Sequence, residues 1–373
     1  MRVLFVANTL PFPAHDGGKI RRYQSLVALS SRHEVTLLAA TPDRAASELF
    51  SRLHPKIRRR EIPYRAGEGF VPVARAVREA TRDEGFDLLH VASLWQWPGE
   101  EALGSLRVVL DAENVESRLL RRLHRLGSGA VSDLDVRSAE ALERRAFERA
   151  DLVLACSQQD ADEVRRLAPG ARVEVVPNAV DLSAFPFRPR VPESSRPVVL
   201  FTGILTYRPN VDAALHFAKN VLPLIRETLP GVRLQVVGRY PSAEIMDLAD
   251  EGVEVIPDVP EILPYFQGAD VFVAPLRAAS GTRLKILQAL AVGLPVVSTP
   301  VGCEGLEVEA GEHLEIAESA DSFASAVVRL IESPQHAAEM AARGRHRVAA
   351  LYALPEVRRR LLEAYESLLH VPA

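Results

Sequence analysis

Along this chain of 373 residues, short unbroken apolar runs alternate with stretches in which apolar residues recur every three or four positions. In the first half the runs are "RVLFVAN" (2–8), "EVTLLAA" (34–40), "DLLHVAS" (87–93), "RVVLDAE" (107–113), "DLVLACS" (151–157) and "RVEVVPN" (172–178). In the second half they are "PVVLFTG" (197–203), "RLQVVGR" (233–239), "VEVIPD" (253–258), "DVFVAPL" (270–276) and "PVVST" (295–299). Between them lie helix-period stretches such as "IRRYQSLVALSSR" and "ADSFASAVVRLIES". Strands that are apolar on both faces and alternate with helices predict parallel sheets covered on both sides. Two successive series predict an α/β chain of two doubly wound Rossmann-like domains, with the ligand in a cleft between them.

The boundary is expected in "PNAVDLSAFPFRPRVPESSRP" (177–197), which is proline-dense and lacks helical periodicity. That predicts a first domain over 1–185 and a second over 186–353. The remainder, 354–373, opens with "LPEVRRRLLEAYESLLH", an amphipathic helix expected to cross back to the first domain. Residues 114–146 are charged and read as a helix pair capped by "GSGAVSD".

Composition narrows the class. The two cysteines, Cys156 and Cys303, lie far apart with no C-x-x-C, which excludes a disulfide framework or cysteine zinc site and fits a reducing compartment. The N-terminal apolar run is too short for a signal sequence, and no stretch is long enough to span a bilayer. The expected location is cytoplasmic, with the inner membrane face as a variant. The net charge of −4 conceals an asymmetry, since residues 1–125 carry 20 Lys+Arg against 15 Asp+Glu. Much of that excess sits in "HPKIRRREIPYR" (54–65) and "SRLLRRLHR" (117–125). It suits an anionic partner such as a phospholipid surface, and equally suits solvated helices. Nucleic acid is not expected, because the basic runs lack interleaved aromatics.

The candidate chemistry lies in loops that follow strands. Gly17 and Gly18 precede a helix beginning near Lys19, so bare amides face outward where an anion is favoured. Gly203 closes a strand ahead of Arg208, a candidate phosphate contact, and Asn210, a candidate helix N-cap. Gly238 and Arg239, then Asp258 and Val259, follow two more strands and offer backbone groups to a nucleobase. The richest stretch is "AASGTRLKILQALAVGLPVVST" (278–299). There Gly281, Thr282, Arg283 and Lys285 combine amides, a hydroxyl and cations at a helix head, which is what a diphosphate requires. Gln288, one turn further on, is placed to reach a ribose. The acidic pairs in "DLD" (133–135) and "DAD" (160–162) fall in helical stretches, and no metal site is expected.

Taken in order, the glycine loop, "PNAVD" (177–181), "FTGILTYRPN" (201–210), "VVGR", "VAPL" and "GTRLKILQALAVGLPVV" resemble retaining GT-B glycosyltransferases of the GT4 family. The similarity is greatest to a bacterial exopolysaccharide branch reading Gly-Thr-Arg-Leu-Lys. It implies transfer of a sugar from a nucleotide diphosphate sugar, without a metal, to a glycan or lipid-linked acceptor over Gly17, Gly18 and Lys19. The family's Glu-x7-Glu pair aligns with Ser280 and Gln288, so both carboxylates are replaced. The family's usual catalytic histidine aligns with Glu113, beside Asn114, and His90 is a second candidate. The resemblance therefore puts Arg208, Arg283, Lys285, Glu113 and His90 in the catalytic set. Gly203, Asn210, Gly238, Arg239, Asp258, Val259, Ser280, Gly281, Thr282, Leu284 and Gln288 fall in the donor set. A non-catalytic homologue that binds a nucleotide or a partner transferase fits the substituted pair. A nucleotide-sugar epimerase would draw on Asp111, Glu113 and Glu116.

Overall fold

The computed structural model describes residues 1–62, 73–127, 131–188 and 196–369. They gather into two compact units. One holds the described parts of Met1–Arg118, Ser132–Pro177 and Val357–Ala373, and the other those of Leu119–Val131 and Asn178–Glu356. Parts of four expectations lie outside the described residues: the end of the Arg-rich tract (63–65), the middle of the 127–133 turn, positions 189–195 of the linker, and residue 370.

The first unit is built on β1 (Arg2–Thr9), β2 (Glu34–Ala40), β3 (Arg58–Glu61), β4 (Leu88–Val91), β5 (Arg107–Ala112), β6 (Leu152–Ala155) and β7 (Val173–Val175). They form one sheet in the order β3-β2-β1-β4-β5-β6-β7, and every paired neighbour runs parallel. Leu4, Val6, Leu89, Val91, Leu110 and Val153 belong to one buried core, and the alternate residues Val3, Phe5, Leu88, Val109 and Leu152 are equally buried, as expected of strands covered on both faces. β3 was not expected from the sequence. It lies inside the Arg-rich tract, at the sheet edge, where charged side chains discourage pairing with another chain. Arg58 pairs with Glu34, Arg60 reaches Asp83 and Glu84 at 3.0 Å, and Arg59 donates to Ser47. Those arginines are paired with acidic and polar side chains of the same unit, and Arg58 stays about half exposed.

The second unit carries β8 (Val198–Ile204), β9 (Arg233–Arg239), β10 (Val253–Pro257), β11 (Val271–Ala274), β12 (Val296–Ser298) and β13 (Glu315–Ile316). Their order is β10-β9-β8-β11-β12-β13, again with parallel neighbours. β13 is two residues long, too short to leave a pattern in the sequence. Both sheets are doubly wound, and in each the strand order turns back beside the first strand, between β1 and β4 and between β8 and β11. Ligands of such sheets sit beyond the carboxyl ends of the strands near that point.

Two helices complete the framework. Helix Leu354–Leu369 packs with the first unit from Val357 onward. Helix Glu116–Arg125 is capped at its head by Glu143, whose carboxylate accepts from the amides of Glu116 at 2.5 Å and Ser117 at 3.3 Å. From Leu119 on, that helix groups with the second unit.

Candidate functional site

The loop after β11 runs from Leu276 to Arg283 and leads into helix Leu284–Val292, which ends at Gly293 in the left-handed region with φ 83°. Its carbonyls are occupied one after another. Ala279 O accepts from Arg122 at 2.6 Å, Ser280 O and Gly281 O accept from the Arg283 guanidinium, and Thr282 O accepts from Asn178 at 3.1 Å. The amides of Gly281, Thr282, Leu284 and Lys285, by contrast, find no acceptor among the described residues. Gly281 sits at φ 69°, a conformation that lets successive amides converge. The loop thus presents donors and hides acceptors. Helix dipole and unsatisfied N–H groups together favour a negative charge there.

Lys285 is the second residue of this helix. Its Nζ donates to Asn210 Oδ1 at 2.8 Å and lies 4.5 Å from the centre of the Phe201 ring. Burial, and then the nearby charge of Arg283, pulls its ammonium down to about 7. Asn210 does not cap its helix, contrary to the expectation from sequence. Tyr207 occupies the cap of helix Arg208–His216, and the Asn210 amide instead donates to Ile204 O at 3.0 Å. Two glycines make room. A Cβ on Gly203 would stand 3.0 Å from Lys285 Nζ, and one on Gly238 would overlap Gly203 O at 1.8 Å.

The other predicted donor residues are spread around this centre. Ser280 and Thr282 are buried, Leu284 packs inward, and Gln288 is half-buried with no side-chain hydrogen bond among the described residues. Asp258 and Tyr240 both adopt left-handed backbone, at φ 50° and 55°, and Asp258 Oδ1 accepts from Tyr240 N at 3.3 Å. Non-glycine residues in that region cluster at ligand sites. Arg239 and Val259 are half-buried beside them. Two expected phosphate cations are directed elsewhere. Arg283 is folded onto its own loop, and Arg208 reaches Glu244 at 3.3 Å on the surface.

In the first unit, Gly17 and Gly18 open helix Gly17–Ser30, but Asp16 caps it through Lys19 N at 2.8 Å. That carboxylate takes up one of the amides at the helix head. Gly18 has a different use. Its missing Cβ would lie 3.2 Å from Arg22 Nη2 and 3.5 Å from Glu113 Oε2. Arg22 and Glu113 meet there as a two-pronged pair, Nε to Oε1 and Nη2 to Oε2, each at 2.8 Å. Burial pushes the Glu113 carboxyl up to about 7, against the pull of Arg22. Behind it, Arg21 binds Asp111 at 2.7 Å and donates to Val176 O.

His90 is a correction. It is fully buried, stacks on Phe5 at 4.3 Å and shares a 2.5 Å hydrogen bond with the Tyr365 hydroxyl, so it is a packing residue out of reach of a substrate.

Phe201, Asn178, Arg122 and Arg22 were not singled out by sequence. Their roles depend on tertiary neighbours 84 to 182 positions away, which no local pattern encodes. Asp135 and Asp160, in the helical acidic pairs, serve helix caps. Among the described residues one group has metal-ligand spacing, Glu309, Glu312 and His313, and its His313 Nδ1 already accepts from Glu309 N. None of the predicted site residues belongs to it.

Comparison with known proteins fits this layout. Residues 23–184 match the family described as Glycosyltransferase Family 4, and residues 196–333 match Glycosyl transferases group 1. A glycogen synthase of Mycobacterium tuberculosis is 28% identical over 235 residues, 60% of this chain and 56% of the relative. A GDP-mannose-dependent phosphatidylinositol monomannoside mannosyltransferase of Mycolicibacterium smegmatis is 27% identical over 54% of this chain and 59% of its own length. The chain thus spans little more than half of these curated relatives. Sucrose-phosphate synthase of Thermosynechococcus elongatus superposes with a TM-score of 0.79 at 17% identity, covering 99% of both chains. Anabaena HepE, solved with UDP and glucose, superposes at 0.72 with 18% identity, covering 98% of this chain and 100% of its own. The chain therefore matches the Glycosyltransferase Family 4 model in its first part and the Glycosyl transferases group 1 model in its second, on a fold shared with GT-B glycosyltransferases.

Proposed function

We propose that the protein transfers a sugar from a nucleotide diphosphate sugar to a glycan or lipid-linked acceptor, with retention of configuration and without a metal. The observation that carries this reading is the loop 279–285. Its carbonyls are taken by side chains, four of its amides are without acceptors among the described residues, and Lys285 stands beside them. A departing nucleoside diphosphate gains negative charge, and fixed amides with a nearby ammonium stabilise that charge. Relatives support a hexosyl donor. HepE is solved with UDP and glucose, and one curated relative is GDP-mannose-dependent.

In this mechanism the protein positions more than it reacts. The leaving diphosphate takes the acceptor proton as the glycosidic bond forms on the same face. Lys285, with the amides of Gly281, Thr282, Leu284 and Lys285, holds the diphosphate. Gln288 meets the ribose, and the backbone at Gly238, Arg239, Asp258 and Val259 reads the base. The acceptor lies over Gly17, Gly18 and Lys19, where Glu113, held by Arg22, accepts a hydroxyl. An acceptor carried on a lipid would bring the protein to the inner membrane face, in keeping with a role in exopolysaccharide synthesis.

The test is calorimetric titration with UDP, GDP, ADP, dTDP and CDP, each with EDTA, on wild type, Lys285→Ala and Gln288→Glu. One nucleotide is expected to bind without metal. Lys285→Ala should weaken it by about tenfold or more, the scale of a charge-assisted bond. Gln288→Glu should tighten it by about 1 kcal/mol, because a carboxylate accepts from both ribose hydroxyls. Absence of binding by all three proteins would favour a non-catalytic homologue.

A further inference from the structure

We infer that helix Glu116–Arg125 is the positioning surface of the diphosphate loop, with Arg122 as its central residue. This rests on the proposed donor reading of that loop. Leu119 and Leu123 bury Ala278 between them, with Leu126 and Val131 packed alongside. Arg122, on the same face, spans two targets. Its Nη1 donates to Ala279 O at 2.6 Å, and its two terminal nitrogens grip the Glu304 carboxylate at 2.6 and 2.9 Å. Glu304 follows the short helix Pro300–Cys303, anchored by Thr299, whose hydroxyl donates to Leu276 O at 2.5 Å. The loop is thus held at its start by Arg122 and at its end by Asn178 on Thr282.

The chemistry explains why an arginine stands there. A loop whose amides converge on an anion must turn its carbonyls the other way, and a buried carbonyl without a donor is costly. The guanidinium supplies a donor to Ala279 O while Glu304 neutralises it. The cation therefore adds no charge of its own to the diphosphate. Its effect on the ligand comes through the geometry of the loop.

That distinction is testable with the nucleoside diphosphate that wild type binds most tightly among UDP, GDP, ADP, dTDP and CDP. Arg122→Ala is expected to weaken binding by about tenfold, the scale of a lost charge-assisted hydrogen bond. Arg122→Ala/Glu304→Ala should remain as weak, and Glu304→Gln, which keeps the bond to Ala279, should bind within about threefold of wild type. Hydrogen exchange across residues 278–288 should speed up in the ligand-free Arg122→Ala protein and stay unchanged in Lys285→Ala. Recovery of affinity in the double variant would overturn the inference, because the loss would then come from the uncovered Glu304 charge. So would unchanged affinity and exchange in Arg122→Ala while Lys285→Ala binds weakly. If Lys285→Ala and Arg122→Ala both bind like wild type, the donor reading of the loop falls, and this inference with it. Urea unfolding of each variant separates misfolding from a loosened loop, and Glu304→Gln gives the reading should Arg122→Ala not fold.

Discussion

An ammonium that lies over the Phe201 ring and is bonded to a neutral amide oxygen has given up most of its hydration, and Lys285 is held down to about 7 by that burial and by Arg283. Its charge is therefore conditional. A diphosphate placed against it favours the protonated form, so binding must take up a proton wherever the free lysine is neutral. The sign follows: affinity is highest below about pH 7 and falls as the pH rises above the free pKa. Titrations at about pH 8 in buffers of different ionisation enthalpy should show uptake approaching one proton, lost in Lys285→Gln. Equal heats in every buffer would mean that the lysine is charged before the ligand arrives. The cation itself was legible in the sequence, as was the helix it stands on. Its partners were not, because Asn210 lies 75 positions away and was read as a helix cap.

At the scale of elements, apolar periodicity marked the long strands and the last helix, but not what that helix covers. Helix Leu354–Leu369 is tied to the first sheet by Tyr365 on His90, Arg107 on Leu368 O, Arg172 on Ser367 and Arg32 on Glu366. The Tyr365–His90 bond is fully buried, whereas Arg32 and Glu366 are solvent-exposed and contribute little. Tyr365→Phe keeps the ring volume and leaves the His90 Nδ1 without its partner. It is expected to lower unfolding free energy by about 1–3 kcal/mol, read from urea denaturation. A change under about 0.5 kcal/mol would show that burial of the ring, not the hydroxyl, secures the helix. The same partnership explains why a strand histidine that looked chemically interesting is a packing residue.

For the whole molecule, the two parallel sheets were readable because their central strands are buried on both faces and so appear as unbroken apolar runs. The edges were not, since β3 is written in arginines and β13 has only two residues. Of the site, residues that act through their own loop could be read, and those recruited from other elements could not. The buried titratable groups show the same limit, and together they set how stability responds to pH. His90 is pulled down to about 4, so its contribution is complete above about 6.5 and is lost as pH falls between those values. Glu143, wholly buried, is pushed up to about 7 by burial, in spite of the amides it caps. Its sign is opposite. The folded state keeps the proton to higher pH than the unfolded chain, so the contribution is complete below about 4.5 and is lost as pH rises to about 7. Above that, the buried carboxylate costs up to about 3 kcal/mol. Glu143→Gln keeps an acceptor for the amides of Glu116 and Ser117 and removes the charge. It is therefore expected to stabilise the protein by about 1–3 kcal/mol at about pH 8 and to change little at about pH 4.5. Urea unfolding at the two pH values measures the difference. Destabilisation at the higher pH would mean that the charge on the helix cap outweighs its burial.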